Sequence, residues 1–328
     1  MKLQGSCVLV TGGAGFIGSG LSRRALASGA RVVVADNLAT GFRRNVPEGA
    51  LFEELDVSDP IATRALFERH RFDIVLHLAA QVSNIISHKD PWLDFRTNVG
   101  GTINVLDGVV HHRIPRLMYA SSMALYGKPA ASPVNEDCPL RPLSPYGVSK
   151  LAAEHMVHNT AARNDLDFEL RVTSMRMFNV YGPGQSLENP YQGVASVFIS
   201  NVLAGEPITL FGDGLQSRDF VYIDDVLDAW IAAVSEPRTK GLRINVGRGE
   251  ESSINDLIDA VLNAFGYTRS TYSVLKKPEL PGDQRSIRAD TTLARDLLRW
   301  SARVGLSEGL KATIDWGKKT WNANASSS

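Results

Sequence analysis

Short apolar runs rich in β-branched residues alternate with helix-length segments through the first half of this 328-residue chain. Each run is too short for a buried helix and is bounded by turn-forming residues, which is typical of buried strands. Parallel neighbours need long crossovers, so this order predicts an α/β fold with a doubly wound parallel sheet. The predicted strands cover residues 6–10, 31–36, 51–55, 73–78, 116–121 and 171–178.

The pattern changes after Asn179, where Gly and Pro cluster and short strands alternate with short helices. We therefore divide the chain into residues 1–179, a dinucleotide-binding domain, and residues 180–328, a smaller mixed α/β lobe. We expect the chain to cross between the two lobes more than once, which makes the boundary approximate. The expected helices are 90–112, 145–164, 194–203, 224–235, 254–265 and 291–300.

Three glycines spaced G-x-x-G-x-x-G lie between the first predicted strand and the helix that follows it: Gly12, Gly15 and Gly18. In this context glycine permits a tight turn and a close approach of backbone to a pyrophosphate, which the N–H groups of a helix N-terminus then bind. Asp36 closes the second strand, 18 residues after Gly18. A carboxylate there can accept hydrogen bonds from both adenosine ribose hydroxyls and repels a 2′-phosphate. The motif predicts NAD in preference to NADP, although Arg43 and Arg44 follow closely.

Tyr146 and Lys150 lie four residues apart in the stretch S-P-Y-G-V-S-K, where Pro145 suits the first turn of a helix. A free phenol has a pKa near 10 and is a poor base at neutral pH. An adjacent ammonium and a positively charged nicotinamide both favour the phenolate. The pair is therefore a candidate base for a sugar or alcohol hydroxyl.

Together these motifs resemble the extended short-chain dehydrogenases/reductases. Within them the chain is most similar to the NAD-dependent sugar-nucleotide epimerase/dehydratase group, and above all to the UDP-glucose 4-epimerases. The resemblance runs from Val10 to about Asp290 and implies a Rossmann-type fold. It includes the segments T-G-G-A-G-F-I-G (11–18), H-L-A-A-Q (77–81), N-V-G-G-T (98–102), R-M-F-N-V-Y-G-P (176–183) and R-D-F-V-Y-I-D-D (218–225).

The resemblance implies a role for each matched residue. Ser122 corresponds to the catalytic Ser/Thr and joins Tyr146 and Lys150 as the catalytic set. Tyr146 and Lys150 would also bind the cofactor, and Ser122 would also bind the substrate. The further NAD-binding residues implied are Gly12, Gly15, Phe16, Ile17, Gly18, Asp36, Asn37, Asp56, Val57, Leu78, Ala79, Ala80 and Asn98. The further substrate-binding residues implied are Asn179, Phe211, Arg218 and Asp283.

The residues after Ser122 discriminate between reactions. Dehydrating relatives carry Asp-Glu there and decarboxylating relatives a nearby Glu, whereas this chain has Met123-Ala124. The resemblance then implies NAD-dependent 4-epimerisation of a nucleotide-diphosphate sugar through a transient 4-keto sugar. The main alternative is an NAD(P)-dependent 4-ketoreductase or dehydrogenase that acts on a nucleotide sugar. A C5-acting or uronate-specific epimerase is a further enzymatic alternative. A protein of a different class, a non-catalytic NAD-binding module, is the last.

One departure concerns the nucleotide. The relatives usually have Arg-x-Gly-Asp where this chain has Leu280-Pro281-Gly282-Asp283, so Leu280 replaces an arginine. Arg285, Arg288 or Lys277 are candidates to supply the missing charge for a UDP-linked substrate. The resemblance also places Ile287 where a residue limits bulk at the sugar's C2 substituent, which leaves N-acetylated sugars open.

Charge and composition limit the kinds of partner and the cell compartment that we expect for this chain. Lys+Arg and Asp+Glu both number 35, and the absence of a basic block argues against nucleic acid. No stretch approaches a membrane span in length, the start lacks a signal-peptide layout, and the two cysteines form neither a disulfide framework nor a metal cluster. We expect a cytoplasmic enzyme without a metal, and by resemblance a homodimer formed through residues 90–112 and 145–164.

Overall fold

A seven-stranded parallel sheet forms the centre of the computed structural model, which describes residues 2–189, 193–279 and 285–325. The strand order is β3-β2-β1-β4-β5-β6-β11. All six neighbouring pairs are parallel, which confirms the predicted doubly wound sheet. Its strands are β1 (Cys7–Thr11), β2 (Arg31–Asp36), β3 (Leu51–Glu54), β4 (Ile74–His77), β5 (Arg116–Ser122), β6 (Arg171–Met177) and β11 (Leu242–Val246).

Helices cover both faces of this sheet, and successive residues of each strand face opposite sides. On β1, Val8 and Val10 pack in the core cluster that also contains residues of α1 and α8, whereas Cys7 and Leu9 pack in the cluster that contains residues of α2, α5 and α6. The helices are α1 (Phe16–Ala27), α2 (Pro60–Arg69), α3 (Asn84–Lys89), α4 (Pro91–Phe95), α5 (Gly101–His111), α6 (Pro145–Ala161), α7 (Val194–Ala204), α8 (Ile223–Ser235), α9 (Ile254–Phe265), α10 (Thr292–Leu298) and α11 (Leu306–Ala325).

The described residues from Asn179 onward also form three two-stranded sheets, β7–β10, β8–β13 and β9–β12. The same part of the chain contributes to the central sheet and its cover, because α8 contacts α1 and β11 pairs with β6 at the sheet edge. The strands are β7 (Asn179–Tyr181), β8 (Ile208–Phe211), β9 (Ser217–Arg218), β10 (Phe220–Tyr222), β12 (Ser252–Ser253) and β13 (Val274–Lys277).

The strand order reverses between β1 and β4, and open α/β sheets bind ligands at the carboxyl ends of their strands beside such a reversal. The glycine loop follows β1, Leu78 follows β4 and Ser122 ends β5, so all three lie on this edge.

The largest differences from the predicted helices concern residues 90–112 and the last helix of the chain. The single helix expected over residues 90–112 is divided into α4, a π-helical turn at Arg96–Gly100 and α5. The long helix α11 was not predicted at all. In the ranges that the structure describes, no helix combines the length and the apolar character needed to cross a bilayer.

Candidate functional site

The glycine loop after β1 is packed closely enough to require glycine at two of its three motif positions. Gly12 has φ of +69°, and a Cβ there would lie 2.7 Å from the Ala79 backbone nitrogen. A Cβ on Gly18 would lie 2.1 Å from the carbonyl oxygen of Gly12. Gly15 begins α1, whose first turn contains no acidic residue. This backbone cradle at a helix N-terminus therefore fits a pyrophosphate.

Asp36 lies at the end of β2 with its carboxylate directed at the glycine loop. Its two oxygens accept the backbone N–H groups of Ala14 at 2.9 Å and Leu38 at 2.8 Å. Burial raises the pKa of this carboxyl, while the two N–H groups act in the opposite direction. Both oxygens retain lone pairs, as recognition of ribose hydroxyls requires.

Arg43 and Arg44, the two cations that could accommodate a 2′-phosphate, interact with other groups in the structure. The Arg43 guanidinium lies 4.2 Å from the ring centroid of Phe52. The Arg44 guanidinium lies 4.0 Å from the ring of Phe42 and pairs with Glu188 at 3.7 Å. These positions agree with the prediction of NAD.

The loop after β4 carries Leu78, Ala79 and Ala80, and it is held against β1 by the Thr11 hydroxyl. That oxygen accepts the N–H groups of Leu78 at 3.2 Å and Ala79 at 3.3 Å, so it donates its proton to His77 Nδ1 at 2.7 Å. Burial lowers the pKa of His77 to about 3, which keeps this imidazole neutral. The loop is thus fixed beside the glycine turn.

The other residues implied in NAD binding occupy varied positions. Phe16 and Ile17 open α1 and are half-buried. Asn37 donates from Nδ2 to Asp56 at 3.1 Å beyond the end of β2. Val57 is buried, and Asn98, in the π turn, is 1% exposed with its amide bonded within the protein. Their contacts with NAD remain predictions.

The hydroxyls of the proposed catalytic residues Ser122 and Tyr146 lie close together at the carboxyl end of β5. Ser122 ends β5, and its Oγ accepts the N–H of Ala124 at 3.1 Å in the following turn. Ser144 caps α6 by accepting the N–H of Gly147 at 3.1 Å, which places Tyr146 in the first turn. Burial raises the pKa of Tyr146, and a hydrogen bond with Ser122 opposes that increase. The structure therefore brings Ser122 and Tyr146 together.

Lys150 lies one turn further along α6 and is 3% exposed. Its ammonium is 4.3 Å from the ring centroid of Tyr119, a cation–π contact. Burial lowers the pKa of Lys150 to about 7, while the carboxylates of Glu154 and Asp94 act against that decrease. The ammonium is therefore poised to lose or regain its proton near neutral pH, as a group that assists proton transfer does.

A buried ion pair between Arg176 and Glu154 fixes α6 to the central sheet. The Arg176 guanidinium binds Glu154 bidentately, with Nη2 to Oε1 at 2.6 Å and Nε to Oε2 at 3.1 Å, and both side chains are 3% exposed. Ser121 donates its hydroxyl to Glu154 Oε2 at 2.6 Å. Arg176 also donates to the Tyr126 hydroxyl at 3.1 Å. The pair thus connects α6 to β5 and β6, next to Ser122.

Asn179, an implied substrate residue, contacts the segment that contains Arg218, another of them. The backbone N–H of Asn179 donates to the Asp219 carbonyl at 3.0 Å, directly after Arg218. The Asn179 Oδ1 is buried and has no hydrogen-bond partner among the described residues, which fits a group that awaits a ligand. Phe211 ends β8, half-buried, beside Lys277 of β13. Asp283 and Leu280 lie outside the described residues.

The cations considered as substitutes for the missing arginine differ in their contacts. Arg285 is bound bidentately to Asp213 at 2.8 and 2.9 Å, whereas Lys277 is exposed at the end of β13. Arg288 is half-buried, and its Nε is buried with no hydrogen-bond partner in the part of the chain that the structure describes. Ile287 is fully buried in a cluster with Tyr126 and Phe178.

Sequence reasoning missed a polar cluster beneath the site. Asp94, Asn98 and Ser149 are each 3% exposed or less and are hydrogen-bonded to one another and to Gln81. The i, i+4 spacing of Asp94 and Asn98 was visible, but the contact with Ser149 spans 55 residues and leaves no local pattern.

The sequence profile described as "NAD dependent epimerase/dehydratase family" matches residues 8–247. A UDP-glucose 4-epimerase of Mycolicibacterium smegmatis is 37% identical over 314 residues, which cover 94% of this chain and 97% of the relative.

Two solved structures are similar over nearly their whole length. UDP-glucose 4-epimerase of Thermus thermophilus, in complex with NAD, has a TM-score of 0.87 at 37% identity and covers 95% of this chain and 99% of its own. UDP-glucose 4-epimerase of Thermotoga maritima, with UDP-glucose, has a TM-score of 0.90 at 34% identity and covers 96% and 99%. The likeness therefore extends over both lobes.

Proposed function

The chain belongs to the NAD-dependent epimerase/dehydratase family, and we propose that it interconverts the C4 epimers of a UDP-linked sugar. The observation that carries this proposal is the hydrogen bond between Ser122 and Tyr146, with Lys150 one turn further along α6, at the same sheet edge as the glycine cradle. Relatives and solved structures that are UDP-glucose 4-epimerases support the nucleotide and the reaction class.

The residues of the site suit proton transfer at one carbon. Tyr146 accepts the proton of the C4 hydroxyl, and Ser122 bonds the same sugar oxygen and passes the proton across. Lys150, when charged, favours the phenolate. NAD, when bound in the glycine cradle, supplies the reversible oxidation that makes C4 a 4-keto centre. Asn179 and Arg218 hold the diphosphate while the sugar turns over.

Elimination chemistry lacks its acid and base in this chain. Met123 and Ala124, which form the turn directly after Ser122, carry no exchangeable proton. In the described part of the chain, the buried carboxylates nearest this site, Asp94 and Glu154, are already hydrogen-bonded within the protein. A 4-ketoreductase uses the same three catalytic residues, and it remains the alternative.

The purified protein, with no added cofactor, is incubated with UDP-glucose, UDP-N-acetylglucosamine or UDP-glucuronate and followed by NMR. We expect one sugar to convert to its C4 epimer at unchanged mass, because NAD that stays bound completes both half-reactions. If every sugar is inert until a keto-sugar and NADH or NADPH are supplied, the ketoreductase alternative is correct.

The proposal includes a cytoplasmic homodimer. Eight of the thirteen large apolar side chains that are exposed among the described residues lie between Val82 and Met156. Trp92 is 68% exposed, and its ring stacks on that of Phe95 at 6.0 Å. Apolar surface concentrated on α3–α6 supports association of two copies through this face. The free thiols of Cys7 and Cys138 are compatible with a reducing compartment.

The variant Met156→Glu is expected to convert this dimer to a monomer, because Met156 is exposed on α6 and a charge there opposes apolar contact. Size-exclusion chromatography with light scattering measures the mass. Leu215→Glu, the same kind of change at an exposed residue of the second lobe, is the control and should leave the dimer intact. A wild-type protein that is monomeric at micromolar concentration would contradict the proposal.

A further inference from the structure

We propose that Asp94 is a positioning residue of the catalytic site: it holds the loop after β4 in register with the first turns of α6 and places a buried carboxylate charge beside the Tyr146–Lys150 pair. This inference rests on the proposed function, since it concerns the same proton transfer. Asp94 was not among the residues that the sequence pattern assigned to the site.

The Asp94 carboxylate is 1% exposed and accepts hydrogen bonds from three side chains. Oδ1 accepts Gln81 Nε2 at 2.5 Å and Asn98 Nδ2 at 3.3 Å, and Oδ2 accepts the Ser149 hydroxyl. A buried carboxylate usually has a cationic partner within ion-pair distance. Within the described ranges Asp94 has no such partner: its three donors are neutral side chains, and the cation that acts on it, Lys150, does so as a nearby charge.

Two of the three donors, Gln81 and Ser149, come from the two segments that the reaction must bring together. Gln81 ends the loop of Leu78–Ala80, and its backbone is also fixed, since its N–H donates to Asn98 Oδ1 at 2.7 Å and its carbonyl accepts Asn98 Nδ2 at 3.0 Å. Ser149 lies between Tyr146 and Lys150 in α6, and the Tyr146 carbonyl is 3.0 Å from its hydroxyl. One carboxylate therefore joins the cofactor side of the site to the proton-transfer side.

The π-helical turn at Arg96–Gly100 belongs to this arrangement. It directly follows α4 and contains Asn98, whose Nδ2 lies within hydrogen-bond distance of Asp94, of the Gln81 carbonyl and of Ser149. Single π turns inside α-helices are found often at functional sites. Here the turn carries the one amide that contacts both the loop and the catalytic helix.

The charge of Asp94 acts on both members of the catalytic pair. It raises the pKa of Tyr146, to which burial contributes most, and it counteracts the burial that lowers the pKa of Lys150. Glu154 has its own cation in Arg176, so Asp94 is the carboxylate near Lys150 without a guanidinium partner. The titratable groups that act on the pair are Asp94 of α4, Glu154 of α6, His77 of β4 and Tyr119 of β5.

The variant Asp94→Asn separates charge from hydrogen bonding. A rotated amide can accept from Gln81 and Asn98 through its oxygen and donate to Ser149 through its nitrogen, and Ser149 can then donate to the Tyr146 carbonyl. The fold is therefore retained while the negative charge is lost. Ser149→Ala makes the complementary change, since it keeps the charge and removes the link to α6.

The titration of Tyr146 is measured by tyrosinate absorbance as a function of pH in the wild type and in each variant. The absorbance of the same protein carrying Tyr146→Phe is subtracted, which leaves the signal of Tyr146. In Asp94→Asn we expect the pH midpoint of the Tyr146 titration to lie on the order of one pH unit below that of the wild type. The acidic limb of kcat/KM is expected to move in the same direction, because the phenolate no longer faces a second anion. Asp107→Asn, at a 63% exposed carboxylate paired with Arg64, is the control and should shift neither.

Coincident Tyr146 titrations in Asp94→Asn and the wild type would overturn the inference. If Asp94→Asn does not fold, Ser149→Ala decides: we expect kcat to fall about tenfold or more at unchanged KM, and an unchanged kcat would reject the positioning role. A wild type that converts no nucleotide sugar disproves the proposed function instead, and the absorbance titration still tests Asp94.

Discussion

Replacing Tyr146 by Phe is expected to lower the rate of epimerisation by about 10²–10⁴-fold, because the phenol is the group placed to take the C4 proton. The fold and the NAD content should be unchanged, since Tyr146 is half-buried and its ring is retained. Turnover is measured by NMR on the sugar that the wild type converts, and bound NAD is released and quantified from the same preparation.

Tyr267→Phe is the matched control for this experiment. It removes one hydroxyl from a tyrosine that is 41% exposed in the second lobe, and it should retain full activity. Turnover of Tyr146→Phe within a few-fold of the wild type would show that another group accepts the proton.

Replacing Glu154 by Ala is expected to reduce the free energy of unfolding by about 3–5 kcal/mol. The change leaves the Arg176 guanidinium, which is 3% exposed, without its carboxylate, and it also removes the acceptor of the Ser121 hydroxyl. Urea unfolding at pH 7 measures the loss. Glu169→Ala breaks an exposed ion pair with Lys240 and should lower the stability far less, because solvent screens that pair.

The effect of Glu154→Ala on the free energy of unfolding also depends on pH. Burial alone would raise the pKa of Glu154, but Arg176 lowers it below the ordinary value of 4.5. A carboxyl whose pKa is depressed on folding contributes stability above its unfolded pKa and loses it as the pH falls through the folded pKa. The difference between the wild type and Glu154→Ala is therefore expected to shrink below pH 4.5. A difference that is constant through this range would contradict the assignment of a charged pair.

Much of the fold could be predicted because its signals are local. Apolar runs bounded by Gly or Asp identify strands wherever both faces of a sheet are covered, and β2 begins and ends at the predicted residues. The long helix α11 escaped prediction because its close packing requires glycine. A Cβ on Gly309 would lie 2.2 Å from the Tyr181 hydroxyl oxygen, and glycine lowers helix propensity in a sequence.

The candidate site likewise contains residues that local sequence patterns predict and residues that they do not. The spacing of Gly12, Gly15 and Gly18 and that of Tyr146 and Lys150 express direct geometric needs of a turn and a helix face, so they are readable without a structure. The Asp94 cluster and the division of residues 90–112 arise from contacts between distant segments. A single sequence carries no local trace of such contacts.

The pairing of β11 with β6 has a consequence for synthesis of the protein. When the ribosome has added residue 180, β6 is complete but its neighbour at residues 242–246 has not been made. The nascent sheet then presents a row of unpaired backbone groups along β6, which is a template for pairing with another chain. About 60 further residues must emerge before this edge is covered, so the sheet of the first lobe is completed only after residues 242–246 have left the ribosome.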